Sequence, residues 1–284
     1  MAGKGGVACI WVALVVLIVS GCTDERPQTL PPLDAPPSLN ETVISAATSG
    51  GVTQAGVLSM RGSASEVRYL AVIIPGYPGI LRPTQLPNGA VRIRQAGNFL
   101  IRSRHHLVDS DIAALLVDCR SDFEQACADE YQASEERVRD IETLVRQARS
   151  LLPALSEVWI VSTSRGVLAS GAAVTFGEGT FSGAIHTAGM FDRSRELGLT
   201  FRGAMPQFII HHADDPCSIT SYASAQRLAR GEGMTLITAR GGSGFTGRAC
   251  EAYTQHGFAG IEPEVMGRVR AVIRGTDRAD RRVP

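Results

Sequence analysis

The sequence has 284 residues, of which 44% are hydrophobic, enough to fill a sizeable core. Its 28 basic and 28 acidic side chains cancel to a formal net charge of zero, which argues against nucleic acid or another polyanion as the partner. Lys4 is the only lysine, and this excludes Schiff-base lysines, Ser-Lys dyads and Walker A phosphate sites from the rest of the chain, because each needs an amine.

The first element in chain order is an N-terminal export signal. Lys4 precedes an apolar run at residues 7–19, which has the length of a signal-peptide core and is short for a membrane span. The run ends in V-S-G-C at residues 19–22, which resembles the lipobox of bacterial lipoproteins. The resemblance implies a signal peptide over residues 1–21, cleavage before Cys22 and attachment of fatty acids such as palmitate there. An ordinary secretory signal and an uncleaved anchor are the alternatives.

The resemblance to bacterial lipoproteins also predicts a location. Thr23, not Asp, follows Cys22, which in Gram-negative lipoproteins favours the outer membrane over the inner one. We therefore expect a protein of the bacterial cell envelope, held at a membrane by its N-terminal lipid anchor and facing the periplasm. Residues 22–40 are rich in Pro, Asp and Thr and predict a flexible tether, followed by one folded domain over residues 41–284.

Cysteine usage fits export to an oxidising compartment. Removal of Cys9 with the signal and acylation of Cys22 leave four cysteines. These are Cys119, Cys127, Cys217 and Cys250. Four cysteines allow three pairings, and closeness in sequence favours Cys119 with Cys127, which leaves Cys217 for Cys250. Four free buried thiols are the alternative.

Strand-like and helix-like segments alternate through the predicted domain. Runs rich in Val, Ile and Leu predict strands at Val67–Ile74, Ile112–Asp118, Glu157–Ser162, Phe181–His186, Gln207–His212 and Met234–Ala239. Helical patterns lie at Val91–Leu107, Ser134–Leu152, Gly166–Val174, Ile219–Arg230 and Gly260–Arg274. The alternation predicts an α/β fold with a mostly parallel twisted sheet and helices on both faces. Functional groups in such a sheet lie on loops at the carboxyl ends of its strands.

One of those loops contains a candidate nucleophile. The predicted strand that ends at Ser162 runs into S-T-S-R-G at residues 162–166, with Ser164 at the centre and Gly166 two positions later. This pattern resembles the nucleophile elbow of the α/β-hydrolase family, with serine where the leading glycine usually stands. The resemblance implies that Ser164 is exposed above the sheet on a strained turn, next to a helix N-terminus. A Ser/Gly turn without chemistry is the alternative.

The family's chain order of serine, acid and histidine supplies the other catalytic residues. The H-G-F motif that begins at His256 is similar to the family's terminal histidine loop, which implies that His256 is the base. The acid follows the strand at 207–212, where Asp214 and Asp215 are adjacent; the family pattern favours Asp215, and Asp192 is a further candidate. The other histidines, which are His105, His106, His186, His211 and His212, are expected to pack or to bond loops.

The strand at 67–74 ends in P-G-Y-P-G, where the family carries an oxyanion loop. The resemblance implies that the backbone N–H groups of Tyr77 and Arg165 form the oxyanion hole, although Pro75 stands where the family commonly has histidine.

We expect no metal site. The candidate ligands are His211, His212, Asp214 and Asp215, and adjacent residues of a strand point to opposite faces, so these side chains cannot converge on one ion. We expect no cofactor either: the G-x-G-x-x-G motif at 242–247 leaves too little chain after it for a dinucleotide-binding unit.

Taken together, these features predict a lipid-anchored serine hydrolase with the α/β-hydrolase fold. The expected substrate is a small carboxylic ester or related acyl compound, cleaved through an acyl-enzyme by Ser164, Asp215 and His256. The short gaps between strands leave no room for a large lid. The alternative is a non-catalytic envelope lipoprotein that uses the same fold to bind or scaffold, and the departures at Ser162 and Pro75 favour it.

Overall fold

The computed structural model describes residues 39–48, 51–177 and 179–276, together with Met1. The described residues from 39 onward belong to one compact unit. The predicted signal peptide, Cys22 and most of the predicted tether lie outside the described residues. Within the described ranges, no helix combines the length and apolar character needed to cross a membrane.

The described residues form ten strands, numbered in chain order. They are β1 (Asn40–Ala47), β2 (Thr53–Met60), β3 (Tyr69–Ile74), β4 (Thr84–Gln85), β5 (Val91–Arg92), β6 (Ile112–Arg120), β7 (Glu157–Thr163), β8 (Gly183–Thr187), β9 (Gln207–His212) and β10 (Thr235–Ala239). Eight of them form one sheet in the order β1-β2-β6-β3-β7-β8-β9-β10, while β4 and β5 pair separately. The β1–β2 and β2–β6 pairs are antiparallel, and all other neighbours in the large sheet are parallel.

Eight helices connect the strands in the described residues. They are α1 (Phe99–Arg102), α2 (Arg104–Leu107), α3 (Asp129–Gln132), α4 (Glu135–Leu151), α5 (Val167–Phe176), α6 (Phe191–Glu196), α7 (Tyr222–Glu232) and α8 (Glu262–Ile273). Apolar side chains of α1, α2 and α8 form one buried cluster with the sheet, and those of α4 and α5 form another. The central parallel strands are buried on both faces, which explains their continuous apolar sequences.

Helix α4 shows how local sequence sets these elements. The Ser134 side chain accepts a hydrogen bond from the Arg137 N–H, and Glu135 and Glu136 occupy the first turn. Both features stabilise a helix N-terminus, by capping a free N–H and by complementing the helix dipole. The buried face carries Val138, Ile141, Leu144, Val145 and Ala148 at helical spacing. The helix therefore begins and ends within one residue of the predicted bounds.

All six predicted strands are present, but one predicted helix is wrong and one pair of strands was missed. The predicted helix at Val91–Leu107 is instead the short strand β5, a turn, and the two short helices α1 and α2. The antiparallel pair β1–β2 was not predicted, although it extends the sheet by two strands. The β4–β5 pair, and the attachment of β1 and β2 to the sheet through β6, are backbone pairings that local hydrophobic periodicity does not record.

Candidate active site

Ser164 lies at the sharp turn between β7 and α5. Residues Ser164–Gly166 form a single 3-10 turn between the two elements. Ser164 has a φ of 53°, in the left-handed region that serine adopts only under constraint. Gly166 makes the turn possible, because a Cβ there would lie 2.6 Å from the carbonyl oxygens of Ile74 and Pro75. The backbone therefore has the strained strand-to-helix turn that the sequence predicts.

Ser162, which stands where the family pattern has glycine, belongs to a buried chain of hydrogen bonds. Its Oγ lies 2.6 Å from Ser170 Oγ, and Ser170 Oγ lies 2.8 Å from Nδ1 of His186. Nε2 of His186 lies 3.4 Å from Oε1 of Gln207. Burial lowers the pKa of His186 to about 4, so the imidazole is neutral at pH 7 and can accept at Nδ1 while it donates at Nε2. The Ser162 hydroxyl is thus satisfied beneath the turn.

His256 and Asp215 are in direct contact. His256 lies in a 3-10 turn at Gln255–Gly257, and its Nδ1 is 3.0 Å from Oδ2 of Asp215. The Thr220 hydroxyl donates to the same oxygen at 3.1 Å, and the Cys217 N–H donates to Oδ1 at 2.9 Å. Because the carboxylate accepts from Nδ1, Nε2 of His256 is the nitrogen left to accept a proton.

A second histidine lies against Asp215. Nε2 of His211 is 3.2 Å from Oδ2 of Asp215, and both side chains are completely buried. The His211 ring is poorly aligned for a hydrogen bond. Its Nε2 atom is therefore in close contact with Asp215 Oδ2 without forming a hydrogen bond to it. Burial alone would raise the pKa of the Asp215 carboxyl, but the contacts of His211 and His256 hold it well below its usual range. Asp215 is therefore ionised wherever the protein is folded near neutral pH.

The other two candidate acids are placed differently. Asp214 is exposed, and its backbone N–H donates to Nδ1 of His212 at 3.0 Å. Asp192 forms an exposed ion pair with Arg227 at 3.0 Å. Of the three carboxylates, Asp215 is the one that contacts His256.

The loop after β3 passes directly beside Ser164. A Cβ on Gly76 would lie 3.0 Å from Ser164 Cβ, so any larger residue would press against the serine. Among the described residues, the Tyr77 N–H has no hydrogen-bond acceptor. The guanidinium of Arg165 lies 5.2 Å from the centroid of the Tyr77 ring. The two residues predicted to form an oxyanion hole therefore flank Ser164 and are in contact with each other.

A cavity of about 570 Å³ opens above these groups, and both Ser164 and His256 line it. Its wall includes the apolar side chains of Phe99, Met190 and Ile219. The charged groups of the wall occur as pairs. Arg165 bonds Asp129, and Arg248 bonds Glu251 at 2.8 Å. The cavity has the size of a small-molecule site, and its charges are compensated.

The four cysteines that the structure describes form two disulfides, Cys119–Cys127 and Cys217–Cys250, which is the pairing favoured by sequence proximity. The second joins the loop that carries Asp215 to the segment that leads to His256. Cys250 itself lines the cavity.

Three residues that sequence reasoning missed also contact the candidate site. Thr220 hydrogen-bonds Asp215, His211 lies against the same carboxylate, and Gln95 lines the cavity. For His211 the sequence predicted only packing or loop bonding. Its position four residues before Asp215 was the available signal, because both fall at the end of β9. No local pattern marks Thr220 or Gln95.

No protein-family model and no curated protein sequence matches the chain. Solved structures do match it. A serine hydrolase without a lid from Xanthomonas campestris is 12% identical, with a TM-score of 0.56 over 84% of this chain and 96% of the other. Est1E from Butyrivibrio proteoclasticus is 14% identical, with a TM-score of 0.55 over 82% of this chain and 98% of the other. An esterase from Pyrococcus furiosus is 12% identical, with a TM-score of 0.58 over 84% of this chain and 91% of the other.

These similarities and the sheet order define the architecture: the chain has the α/β-hydrolase fold. The predicted fold class is confirmed. At this level of identity the similarity shows the fold alone, and activity must be argued from the site.

Proposed function

We propose that the protein is a serine hydrolase that cleaves small carboxylic esters through an acyl-enzyme. One observation carries the proposal: a serine on a strained strand-to-helix turn shares a cavity with a histidine whose Nδ1 bonds a buried carboxylate. A plain structural turn needs neither the left-handed serine nor the buried histidine and carboxylate pair.

In the proposed mechanism His256 takes the proton of Ser164 at Nε2 as Ser164 Oγ attacks the ester carbonyl carbon. Asp215 holds the ring through Nδ1–H and stabilises the imidazolium that forms. The N–H groups of Tyr77 and Arg165 donate to the oxyanion of the tetrahedral intermediate. His256 then protonates the leaving alcohol, and water, activated by the same ring, releases the acid from Ser164.

The cavity supports an uncharged substrate with an apolar part. Its volume of about 570 Å³ suits a small molecule, and Phe99, Met190 and Ile219 supply apolar surface. The arginines of its wall are already paired with carboxylates, so a charged ester would have to displace an existing ion pair. Ester hydrolysis is therefore the reaction class that we assign.

We further propose that the enzyme is attached to the bacterial envelope through lipid at Cys22, on the periplasmic side of the outer membrane. The proposal rests on the V-S-G-C sequence and the apolar run before it. The membrane would then be a partner through the anchor, and the substrate would be an acyl compound that reaches the cell envelope.

The catalytic assignment is tested with a fluorophosphonate probe and a panel of activated esters. Ser164→Ala and His256→Ala should each abolish labelling and lower kcat by about 10⁴-fold or more, because the two residues act as one unit, and a cooperative thermal transition would show that each variant folds. Asp215→Asn should lower kcat by about 10³-fold or more, since the amide carries no charge to stabilise the imidazolium and its NH2 group cannot accept from Nδ1–H.

Asp214→Asn is the matched control for Asp215→Asn, because it removes the neighbouring carboxylate, which is exposed. It should retain most of the activity. If the folded wild-type protein neither reacts with the probe nor cleaves any ester, the enzyme proposal is wrong and a binding role on the same fold replaces it.

A further inference from the structure

Gln95 holds the loop that carries the proposed oxyanion donor. It lies between β5 and α1, half-buried, and lines the cavity. Its Nε2 donates to the carbonyl oxygens of Gly76 at 3.0 Å and Tyr77 at 2.7 Å, and its Oε1 accepts from the Gly79 N–H at 3.2 Å. A single side-chain amide therefore bonds three backbone groups within four residues of the loop.

The bond to the Gly76 carbonyl has a direct geometric effect on Tyr77. The Gly76 C=O and the Tyr77 N–H belong to the same planar trans peptide unit, so they point in opposite directions. Fixing the carbonyl oxygen against Gln95 therefore fixes the direction of the N–H. That N–H has no acceptor among the described residues.

The remaining bonds of the loop lie further along the chain. The Cys127 N–H donates to the Pro78 carbonyl oxygen at 2.9 Å, and the buried Asp118 carboxylate accepts from the Leu81 N–H at 2.7 Å. These contacts hold the far end of the loop. Among the described residues, the peptide unit that contains the Tyr77 N–H is held by one hydrogen bond, which Gln95 donates to the Gly76 carbonyl oxygen.

We propose that Gln95 is a positioning residue that orients the Tyr77 N–H toward the oxyanion. The inference rests on the proposed function, because an oxyanion forms only if Ser164 attacks an acyl group. Gln95 acts through the backbone and donates nothing to the substrate. The role requires an amide at this position, because the carbonyl oxygens need donors and the Gly79 N–H needs an acceptor.

The test replaces Gln95 by a residue of similar length without hydrogen-bonding capacity. Gln95→Met should lower kcat for an activated ester by about 10- to 100-fold, as expected for a misdirected oxyanion donor, while KM stays within about 3-fold. Affinity for a boronic acid, which forms a tetrahedral adduct on the serine, should fall by a similar factor. Affinity for the product acid, which forms no such adduct, should not.

Gln85 offers a matched control outside the cavity wall. Its Oε1 accepts from the Val43 N–H at 2.9 Å, and its Nε2 donates to the carbonyl oxygens of Gly89 at 2.7 Å and Glu41 at 3.4 Å, which is the same bonding pattern. Gln85→Met should leave kcat and boronic acid affinity unchanged. Circular dichroism and the thermal midpoint would show that both variants fold.

The inference is overturned if folded Gln95→Met keeps kcat within about 2-fold of wild type, or if Gln85→Met loses as much. If Gln95→Met does not fold, Gln95→Glu serves in its place: it keeps the acceptor for the Gly79 N–H, loses both donors, and should show the same fall in kcat. A wild-type protein that is inert to probe, ester and boronic acid would instead refute the proposed function, and the role of Gln95 with it.

Discussion

At the scale of single residues, His186 is expected to make the protein sensitive to mild acid. Burial lowers its pKa from 6.5 to about 4 in the folded state. Between those pH values the unfolded chain binds a proton that the folded protein excludes, so the free energy of unfolding must fall as the pH drops. The loss should begin near pH 6.5 and amount to about 3 kcal/mol at pH 4.

Urea unfolding of wild type and His186→Gln at pH 7 and at pH 4.5 would measure this contribution. The variant is expected to be less stable at pH 7, because it disturbs the contacts with Ser170 and Gln207, but its stability should change less between the two pH values. All other titrating groups are common to both proteins, so their contributions to the change in the free energy of unfolding cancel in the comparison. Equal losses in the two proteins would show that His186 does not carry the effect.

The positions of Ser164, Asp215 and His256 could be predicted because each follows a strand whose apolar sequence is evident. The structure places the predicted acid and base in contact and the predicted nucleophile on the same cavity. Ser162 could not be understood from sequence, since its hydroxyl bonds Ser170, eight residues later. Gln95 could not be found at all, because its partners are backbone atoms of a loop from another part of the chain.

At the scale of structural elements, the Cys217–Cys250 disulfide is expected to support activity as well as stability. It closes a sequence separation of 33 residues, which on chain-entropy grounds is worth about 4 kcal/mol. Cys217 also holds the Asp215 carboxylate through its N–H, and Cys250 lines the cavity. Breaking the bond should therefore loosen Asp215 against His256 before the protein unfolds.

The measurement uses a Cys119→Ser, Cys127→Ser double variant, which lacks the other disulfide of the described residues. A reductant added to this variant therefore acts on the Cys217–Cys250 bond. Activity and thermal midpoint are followed as the reductant concentration rises. We expect kcat to fall at reductant concentrations that leave the protein folded at the assay temperature. Loss of activity only together with global unfolding would show that the disulfide stabilises the fold without serving the site.

The elements were predictable where burial and local pattern agree, as in the parallel strands and α4. The region 91–107 shows the opposite case. Its apolar residues Phe99, Leu100, Ile101 and Leu107 suit a single helix, but the chain forms β5 by pairing with β4 and starts α1 only at Phe99. The Asn98 side chain caps α1 by accepting from the Leu100 N–H at 3.1 Å, which sets that late start.

At the scale of the whole molecule, parallel strands gather the functional loops at one edge of the sheet. The ends of β3, β7, β9 and β10 lead to the proposed oxyanion loop, nucleophile, acid and base in that order. This arrangement follows from alternating strands and helices, and it was predictable for that reason. Strands β1 and β2 contribute none of these groups, and their sequences mix polar and apolar residues without the continuous apolar run of the predicted strands.

The proposed lipid anchor also concerns the molecule as a whole, because it would decide whether the protein acts in free solution or at a membrane. In a Gram-negative host given a fatty-acid analogue, the wild-type chain should be cleaved before Cys22 and labelled. Cys22→Ser should abolish labelling and leave the precursor uncleaved, because the thiol is the acceptor of the first lipid.

Cys9→Ser, within the predicted signal, is the matched control and should be processed and labelled normally. Membrane association alone would not discriminate, since an uncleaved apolar signal also holds the chain at a membrane. Labelling that persists in Cys22→Ser, or that disappears in Cys9→Ser, would show that residues 19–22 do not act as a lipobox.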